Sequence, residues 1–292
     1  MKYKQSKWHI LIMIILIIIS LSCILPLLLV VSVSFTDEMA IVKNGYSLIP
    51  TQFSLDAYRN IFLGGKQVWH SFGVSFFVML VGTFLNVCIT GMAGYALSNP
   101  SVRYQKQLAM FFFITMVFNG GMVPWYMICK AFGLTENIFA LIVPNLLFNS
   151  YNLFLVRNYM RGIPTALLES ARLDGANDTR IAFQIYFPLS MPILATIALF
   201  SAIGYWNDWW NSIMLVSDKS LYTVQYLLMK LKSDINMMKN LQNSGFSGAS
   251  TMKPTESLQM ATVVVVIIPI LFFYPFLQKY IVKGLVIGSV KG

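Results

Sequence analysis

Residues 169–192, which read ESARLDGANDTRIAFQIYFPLSMP, form the longest charged stretch between apolar runs of this chain. Upstream, Pro164 suits the first turn of a helix, and Gly175 suits a left-handed residue that ends that helix. Asn177 or Asp178 can then cap a second helix through a side-chain oxygen, and Pro188 is expected to end it. The stretch therefore predicts two short helices joined by a tight turn, outside the lipid.

The order of residues in this stretch resembles the EAA signature of the permease subunits of ABC importers. The residues that carry the resemblance are Glu169, Ser170, Ala171, Asp174, Gly175, Ile185 and Pro188. Two further stretches are similar to carbohydrate-uptake permeases of the maltose type, and more closely to those of lipoprotein-assisted oligosaccharide importers: NDWWN at 207–211 and VKGLVIGSVKG at 282–292. The departures are small, because Ser170 and Phe187 replace the more usual Ala and Leu with side chains that a helix accepts.

The resemblance implies a transport subunit that is not itself an enzyme. It implies that ATP and magnesium bind to a partner ATPase and that this chain binds no cofactor or metal. The implied partners are a second, similar permease, two ATPase subunits and an extracytoplasmic solute-binding protein or lipoprotein. Within residues 164–188, the ATPase would be contacted by Glu169, Ser170, Ala171, Asp174, Gly175 and Pro188. The C-terminal residues implied to reach the ATPase are Val290, Lys291 and Gly292.

Composition by itself indicates a membrane protein. The chain of 292 residues is 57% hydrophobic and 11% charged, whereas soluble domains have about 25% charged residues. Six runs are long and apolar enough to cross a bilayer: 10–33, 72–97, 108–129, 138–156, 189–216 and 258–277. The first is longer than the apolar core of a cleaved signal peptide, about 7 to 15 residues, so we expect it to be retained. The predicted fold class is an all-α membrane protein with six transmembrane helices.

The distribution of charge predicts the orientation. The segments on the same side of the membrane as the N-terminus, which include 169–192, carry 12 basic and 3 acidic residues, a charge of +9. The rest of the chain carries 9 basic and 8 acidic residues, a charge of +1, and the two sums give the net charge of +10. Since basic residues collect on the cytoplasmic side, both termini and the charged stretch are predicted to be cytoplasmic. The resemblance implies that the membrane is a bacterial cell membrane. The positive charge thus reflects topology, and no nucleic-acid partner is expected.

The chain divides into three predicted regions. Residues 1–71 hold the first span and a first external segment, in which Ser54 can cap a short interfacial helix. Residues 72–283 form the core permease domain, with a second external segment at 217–257, and residues 284–292 form a cytoplasmic tail. In the second external segment, an amphipathic helix begins near Val224 and is followed by a polar linker, NSGFSGAS, at 243–250. That helix would lie on lipid, cap the bundle or dock a solute-binding protein.

The fifth apolar run contains the polar residues that could contact substrate. Asp208 is the only ionisable residue inside any of the six runs, and a charge within the bilayer is costly unless it faces the bundle or a watery path. One helical turn separates Asn207 from Asn211, which predicts a polar stripe suited to sugar hydroxyls beside tryptophan rings. The candidate pathway residues are Trp206, Asn207, Asp208, Trp209 and Asn211 of this run, together with Asn119 of the third run. The alternative is an interfacial tryptophan belt with Asp208 near the headgroups.

Three other functions compete with a sugar importer. A permease for peptides or amino acids would share the same architecture. A secondary transporter would need an ion-coupling site, and Asp208 alone is weak support for such a site. A membrane-embedded enzyme would need a catalytic cluster, and none stands out. The sequence also has no G-x-x-x-x-G-K-[ST] loop for binding ATP, so an ATP-driven system requires a partner.

Overall fold

The computed structural model describes residues 7–63, 66–243, 256–269 and 271, and its regular elements there are helices. A single antiparallel bridge joins Thr36 to Phe53. The helices are α1 (Lys7–Ser34), α2 (Glu38–Asn44), α3 (Asp56–Leu63), α4 (Lys66–Ser98), α5 (Gln105–Val117), α6 (Met122–Ala131), α7 (Phe139–Ile142), α8 (Ser150–Arg161), α9 (Thr165–Leu173), α10 (Asp178–Ile181), α11 (Phe187–Leu189), α12 (Met191–Trp206), α13 (Trp210–Leu215), α14 (Val224–Asn243) and α15 (Glu256–Pro269).

Some predictions lie outside the described residues. These are the tail at 284–292 with Val290, Lys291 and Gly292, nearly all of the polar linker at 243–250, and the part of the sixth apolar run beyond residue 271.

The chain forms two compact units, of which the first holds the described residues of Met1–Trp69 and Leu228–Pro269. The segment after α1, predicted to be external, is organised by Phe35, whose ring stacks on Phe53 and Tyr58 at centroid distances of 5.6 and 4.8 Å. Glu38 accepts hydrogen bonds from the backbone N–H groups at the start of α15, Glu256 and Ser257, at 3.1 and 3.0 Å. An acidic side chain of α2 therefore caps the N-terminus of α15. Helix α3 begins just after Ser54, whose Oγ accepts the Asp56 N–H at 3.1 Å, as predicted.

Two of the six apolar runs are confirmed as continuous helices, within α1 and α4. Leu11–Ser34 and Lys66–Ser98 are long and apolar enough to cross a membrane. The third run is instead broken between α5 and α6, which are bent by 119°. At the break the Asn119 side chain accepts the Gly121 N–H at 2.9 Å, and Gly121 has a φ of +86° that a side chain would disfavour. The third run therefore changes direction completely at this break.

The second compact unit holds the described residues of His70–Leu227 and Ile270–Gly292, and its apolar residues form two clusters. The Tyr205 cluster joins α4, α7, α12 and α13, with Val78, Leu141, Ile142, Tyr205 and Leu215 at its centre. The Tyr186 cluster joins α8, α9, α10 and α12, with Val156, Met160, Leu168, Ile181, Tyr186 and Ile197 at its centre. Glycines of α4 allow close approach in both: an added Cβ would lie 2.3 Å from the ring of Tyr205 at Gly82, and 2.5 Å from Val156 at Gly94.

Candidate functional site

The turn of the charged stretch has the geometry that its sequence predicts. Gly175 is left-handed, with a φ of +79°. Its N–H donates to the Arg172 carbonyl, and the Ala176 N–H donates to the Ala171 carbonyl, both at 3.0 Å. These two bonds form a Schellman motif, which satisfies the last carbonyls of α9 and reverses the chain. The prediction for Pro164 was off by one position, because Pro164 immediately precedes α9 with an extended ψ of 129°.

The second helix begins as predicted but does not end as predicted. The Asn177 side chain accepts the Arg180 N–H at 2.8 Å and caps α10. The helix then widens into a π-helical turn, Ala182–Tyr186, and continues through α11 to Leu189, so Pro188 does not end it. A proline lacks the N–H and crowds the carbonyl four residues earlier, and the wider π turn before Pro188 relieves that crowding. The direction changes two residues after Pro188, at Ser190, where α12 departs at 77°.

Apolar packing holds this pair of helices to the rest of its unit. Leu168 of α9, Ile181 of α10 and Tyr186 of the π turn are 5%, 0% and 4% exposed. They pack with residues of α8 and α12 in the Tyr186 cluster. Ala171 and Ala176 lie against the same cluster, where a small side chain permits close approach. The helix pair, residues 164–188, is thus seated on two longer helices and is named here the coupling element.

Polar contacts also join the coupling element to α4 and to the loop that follows it. The Arg172 guanidinium donates to Ser101 Oγ at 2.9 Å and to the Asp178 carboxylate at 3.1 Å. The Tyr95 hydroxyl of α4 donates to the Asp178 carbonyl at 3.2 Å. Ser101 lies between α4 and α5, so Arg172 connects the turn to the end of α4. These contacts are exposed and individually weak, but they act on an element already fixed by packing.

The outer face of the coupling element is open. Glu169, Ser170, Asp174, Gly175 and Pro188 are all exposed. Leu173, at the end of α9, is 90% exposed. Of the six residues predicted to contact an ATPase, five thus lie on the exposed surface, and Ala171 is half-buried against the apolar cluster.

The polar residues of the fifth run do not form the predicted stripe on one helix. Helix α12 ends at Trp206, and α13 starts anew at Trp210. Asp208 Oδ1 accepts the N–H groups of Trp210 and Asn211 at 3.1 and 3.3 Å, which caps α13. Since Asn and Asp side chains compete with the helical backbone for hydrogen bonds, the pair Asn207-Asp208 interrupts the helix instead of lining it.

The remaining pathway candidates are divided between core and surface. Trp206 and Asn211 are buried, at 3% and 1% exposure; Trp206 packs on Phe72 and Phe76. Asn119, Asn207 and Trp209 are exposed, and Asp208 is half-buried. The structure therefore does not bring all six candidates onto one surface. Among the described residues, no three His, Cys, Asp or Glu side chains lie close enough together to hold a metal ion.

The fourth run is broken between α7 and α8, and polar side chains support the break. In the sequence, Pro144, Asn145, Asn149 and Asn152 indicate equally an interruption that faces a cavity and side chains that bond neighbouring helices. The Tyr205 hydroxyl donates to the Ile142 carbonyl at 2.8 Å, and Asn211 Nδ2 donates to the Pro144 carbonyl at 3.0 Å. Asn86 Nδ2 donates to the carbonyls of Leu146 and Leu147 at 2.9 and 3.0 Å. The clustered Pro144, Asn145 and Asn149 were the available sequence signal. Asn149 caps α8 locally, but the side chains that bond the carbonyls of the break come from distant helices.

The chain resembles known transport proteins over nearly its whole length. Residues 71–287 match the family described as binding-protein-dependent transport system inner membrane component. The chain is 38% identical over 277 residues, 95% of this chain and 96% of the relative, to the polygalacturonan/rhamnogalacturonan transport system permease protein YtcP of Bacillus subtilis (strain 168). It is 34% identical over 270 residues, 92% and 90% of the two chains, to protein LplC of the same organism.

A solved structure shares the fold. It is the crystal structure of a bacterial ABC transporter involved in the import of the acidic polysaccharide alginate. One chain of that structure matches this chain with a TM-score of 0.82 and 29% sequence identity, and the match covers 96% of this chain and 98% of that one. The family match covers well over half of the chain, and the EAA-like order of residues 169–188 lies inside it. The chain is therefore a multi-pass membrane protein that belongs to the family of binding-protein-dependent transport system inner membrane components, a transport subunit and not an enzyme.

Proposed function

We propose that this chain is a permease subunit of an ATP-driven importer for a sugar or oligosaccharide. The relatives named above include a permease for polygalacturonan and rhamnogalacturonan and a transporter for alginate. An arabinooligosaccharide permease, AraQ of Halalkalibacterium halodurans, is 27% identical over 94% of this chain and 93% of its own length. Since these substrates are all carbohydrates, a sugar is favoured over a peptide or an amino acid.

The observation that carries the proposal is the coupling element, which is rigidly anchored on one face and open on the other. Its inner face is packed into the Tyr186 cluster, so movement of the element would move α8 and α12 with it. Its outer face presents Glu169 and the 90% exposed Leu173. Fully burying a leucine stabilises a contact by about 1.5–3 kcal/mol, and Glu169 supplies a polar contact. A partner ATPase that grips this face would transmit its closure as a rigid-body movement.

The topology belongs to the same proposal. Six spans with both termini in the cytoplasm would place the coupling element on the cytoplasmic side, where ATP is available, in agreement with the excess of basic residues there. In this arrangement α5 with α6 and α10–α11 with α12 are bent elements within or beside the bilayer.

The partners and the energy source follow from this role. The proposed complex contains a second similar permease, two ATPase subunits that bind ATP and magnesium, and an extracytoplasmic binding protein or lipoprotein. The loaded binding protein would favour one access state by binding it better than the other. The C-terminal Val290, Lys291 and Gly292 are proposed to reach the ATPase as well.

Asn119, Asn207, Asp208 and Trp209 remain the proposed pathway residues on the outer half of the unit. Trp206 and Asn211 are buried, so they would support the pathway from behind it.

The test is co-purification of the ATPase with this chain from native membranes. Glu169→Ala and Leu173→Ser are expected to reduce the recovered ATPase and the saccharide-stimulated ATP hydrolysis several-fold, whereas Asp56→Ala, an exposed carboxylate on α3, should change neither. Recovery of no ATPase with the folded wild type would contradict the proposal, as would variants of the coupling element that behave like Asp56→Ala.

A further inference from the structure

Six buried side-chain oxygen atoms of the second unit form no hydrogen bond within the part of the chain that the structure describes. They are Thr83 Oγ1, Asn86 Oδ1, Thr90 Oγ1, Ser190 Oγ, Ser201 Oγ and Asn211 Oδ1. Burial of an unpaired polar atom is costly, and most buried polar atoms of native proteins bond either protein or ordered water. Three of the six lie where α4 crosses α12, which makes that crossing the place to look for a further partner.

Asn86 of α4 shows in which direction a partner would lie. The residue is 1% exposed, and its Nδ2 donates both hydrogens, to the carbonyls of Leu146 and Leu147 at 2.9 and 3.0 Å. The orientation of the amide is thereby fixed, because the reverse orientation would place Oδ1 against two carbonyl oxygens. Oδ1 therefore points away from the break of the fourth run, and it requires a donor from elsewhere.

Two glycines of α4 define its register against α12. A Cβ on Gly82 would lie 2.3 Å from Tyr205 Cζ, and a Cβ on Gly91 would lie 3.4 Å from Leu194 Cδ2. Residue numbers rise along α4 between these two contacts and fall along α12. The helices therefore pack antiparallel, and side chains between the two contacts meet at matching levels.

Asn86 and Ser201 lie at the same level of this crossing. Asn86 is four residues after the first glycine contact, and Ser201 is four residues before its partner on α12, so each lies about 6 Å along its helix from that contact and on the same side of it. Leu146 supports this placement, because its carbonyl accepts Asn86 Nδ2 and its Cδ2 would lie 3.5 Å from a Cβ on Gly204, three residues after Ser201. Thr83 lies three residues before Asn86, on the same face of α4.

The hydrogen-bonding capacities of these three side chains suit a water molecule. Asn86 Oδ1 only accepts, whereas the hydroxyls of Thr83 and Ser201 donate and accept. Buried waters make about three hydrogen bonds to otherwise unpaired groups, and a water can donate to the amide oxygen while it bonds both hydroxyls. A divalent cation is disfavoured because none of the three side chains carries a negative charge.

We propose that Thr83, Asn86 and Ser201 form a buried hydration site, in which one ordered water bridges the Asn86 amide oxygen and the hydroxyls of α4 and α12. A water-mediated bond is nearly as favourable as a direct one. Because Asn86 also holds the carbonyls of Leu146 and Leu147, this water links α12 to the break of the fourth run. The site lies inside the second unit and is independent of the pathway residues.

The sign of a stability change tests whether the hydroxyls are paired. Thr83→Val removes a hydroxyl with little change of shape. If water bonds that hydroxyl, its removal should lower the thermal unfolding midpoint of the assembled complex in detergent. If the hydroxyl is unpaired, its removal relieves a desolvation cost, so an unchanged or raised midpoint would overturn the inference.

A double-mutant cycle tests whether two hydroxyls share one water. Since no direct hydrogen bond joins Thr83 to Ser201, Thr83→Val and Ser201→Ala together should lower the midpoint less than the sum of the single changes. Helix-propensity effects cancel in this comparison. The control pairs Thr83→Val with Thr196→Val, whose hydroxyl donates to the Pro192 carbonyl at 2.9 Å, and should be additive. Equal coupling in the two pairs would contradict a shared water.

A density map of the assembled complex, at a resolution that shows ordered waters, gives the direct readout. The wild type should show a peak within about 3.2 Å of Asn86 Oδ1, and the peak should be lost in Thr83→Val combined with Ser201→Ala. The inference would be wrong if the wild type showed no peak or if the peak persisted in the double variant. It would also be wrong if the peak disappeared when choline replaced sodium and potassium, because the site would then hold a cation.

Discussion

At the scale of single residues, Glu136 is bound by several backbone N–H groups, although it belongs to none of the predicted sites. It has a φ of +53°, and its carboxylate accepts the N–H of Ser217 at 2.9 and 3.0 Å and that of Asp218 at 3.2 Å. These backbone donors favour the charged form and hold the pKa of Glu136 below its ordinary value, with the Ser217 bonds as the main cause. The carboxylate thereby fastens the loop before α7 to the loop after α13.

The pH dependence of this contact has a definite sign. Because the folded-state pKa of Glu136 is lowered, its stabilising effect is complete above the unfolded pKa, about 4.3, and is lost as the pH falls through the folded value. In the wild type, the Ser217 and Asp218 amides should therefore lose protection from hydrogen exchange only below about pH 4.3. The comparison is Glu136→Gln, whose side chain does not titrate. A protection difference between wild type and variant that is the same at low and neutral pH would contradict this prediction.

Residues with local partners could be predicted from the sequence, and residues with distant partners could not. Gly175 and Asn177 act on backbone groups within four positions of themselves, so the turn and the cap were predicted correctly. Glu136 contacts residues about eighty positions away, and Tyr205 contacts Ile142 across sixty-three. No local pattern indicates such pairings, because they depend on how the helices pack.

At the scale of helices, the crossing of α4 and α12 depends on a glycine. A Cβ on Gly82 would lie 2.3 Å from Tyr205 Cζ, so the ring would have to move and its hydroxyl would leave the Ile142 carbonyl. Overpacking of this kind costs about 1–3 kcal/mol. Gly82→Ala should therefore lower the thermal unfolding midpoint in detergent, whereas Gly73→Ala, where a Cβ meets nothing within 4 Å, should leave it unchanged or raise it.

A double variant separates the clash from other effects of Gly82→Ala. In Gly82→Ala combined with Tyr205→Leu, the added methyl no longer meets the ring, so the two changes should be less destabilising together than the sum of each alone. Strict additivity, or a Gly82→Ala midpoint equal to that of Gly73→Ala, would show that the contact does not limit helix packing.

The helical breaks show where apolar composition and helical structure differ. In α1 and α4 an apolar run coincides with one helix that is long enough to cross a membrane. In the third, fourth and fifth runs the helix is interrupted at Asn119, Asn145 and Asp208, where polar side chains or a left-handed residue replace helical hydrogen bonds. Hydrophobicity alone cannot distinguish such a break from a continuous span.

At the scale of the whole molecule, the proposed topology makes a prediction about accessibility. Val42 of α2 is 78% exposed and belongs to the proposed first external segment, whereas Arg103 lies in a proposed cytoplasmic loop. In intact cells, an impermeant thiol reagent should label Val42→Cys but not Arg103→Cys in a background without native cysteines, and permeabilised cells should show both. Labelling of Arg103→Cys in intact cells would contradict the proposed orientation of the charged stretch.

In the proposed function, ATP hydrolysis by a partner drives saccharide uptake through the coupling element. Uptake of labelled oligosaccharide can be measured in vesicles containing the purified complex, with the binding protein outside and ATP enclosed. We expect uptake that requires enclosed ATP, survives ionophores, and is lost in Glu169→Ala combined with Gly175→Pro. Uptake driven by an ion gradient without ATP, or undiminished in that variant, would contradict it.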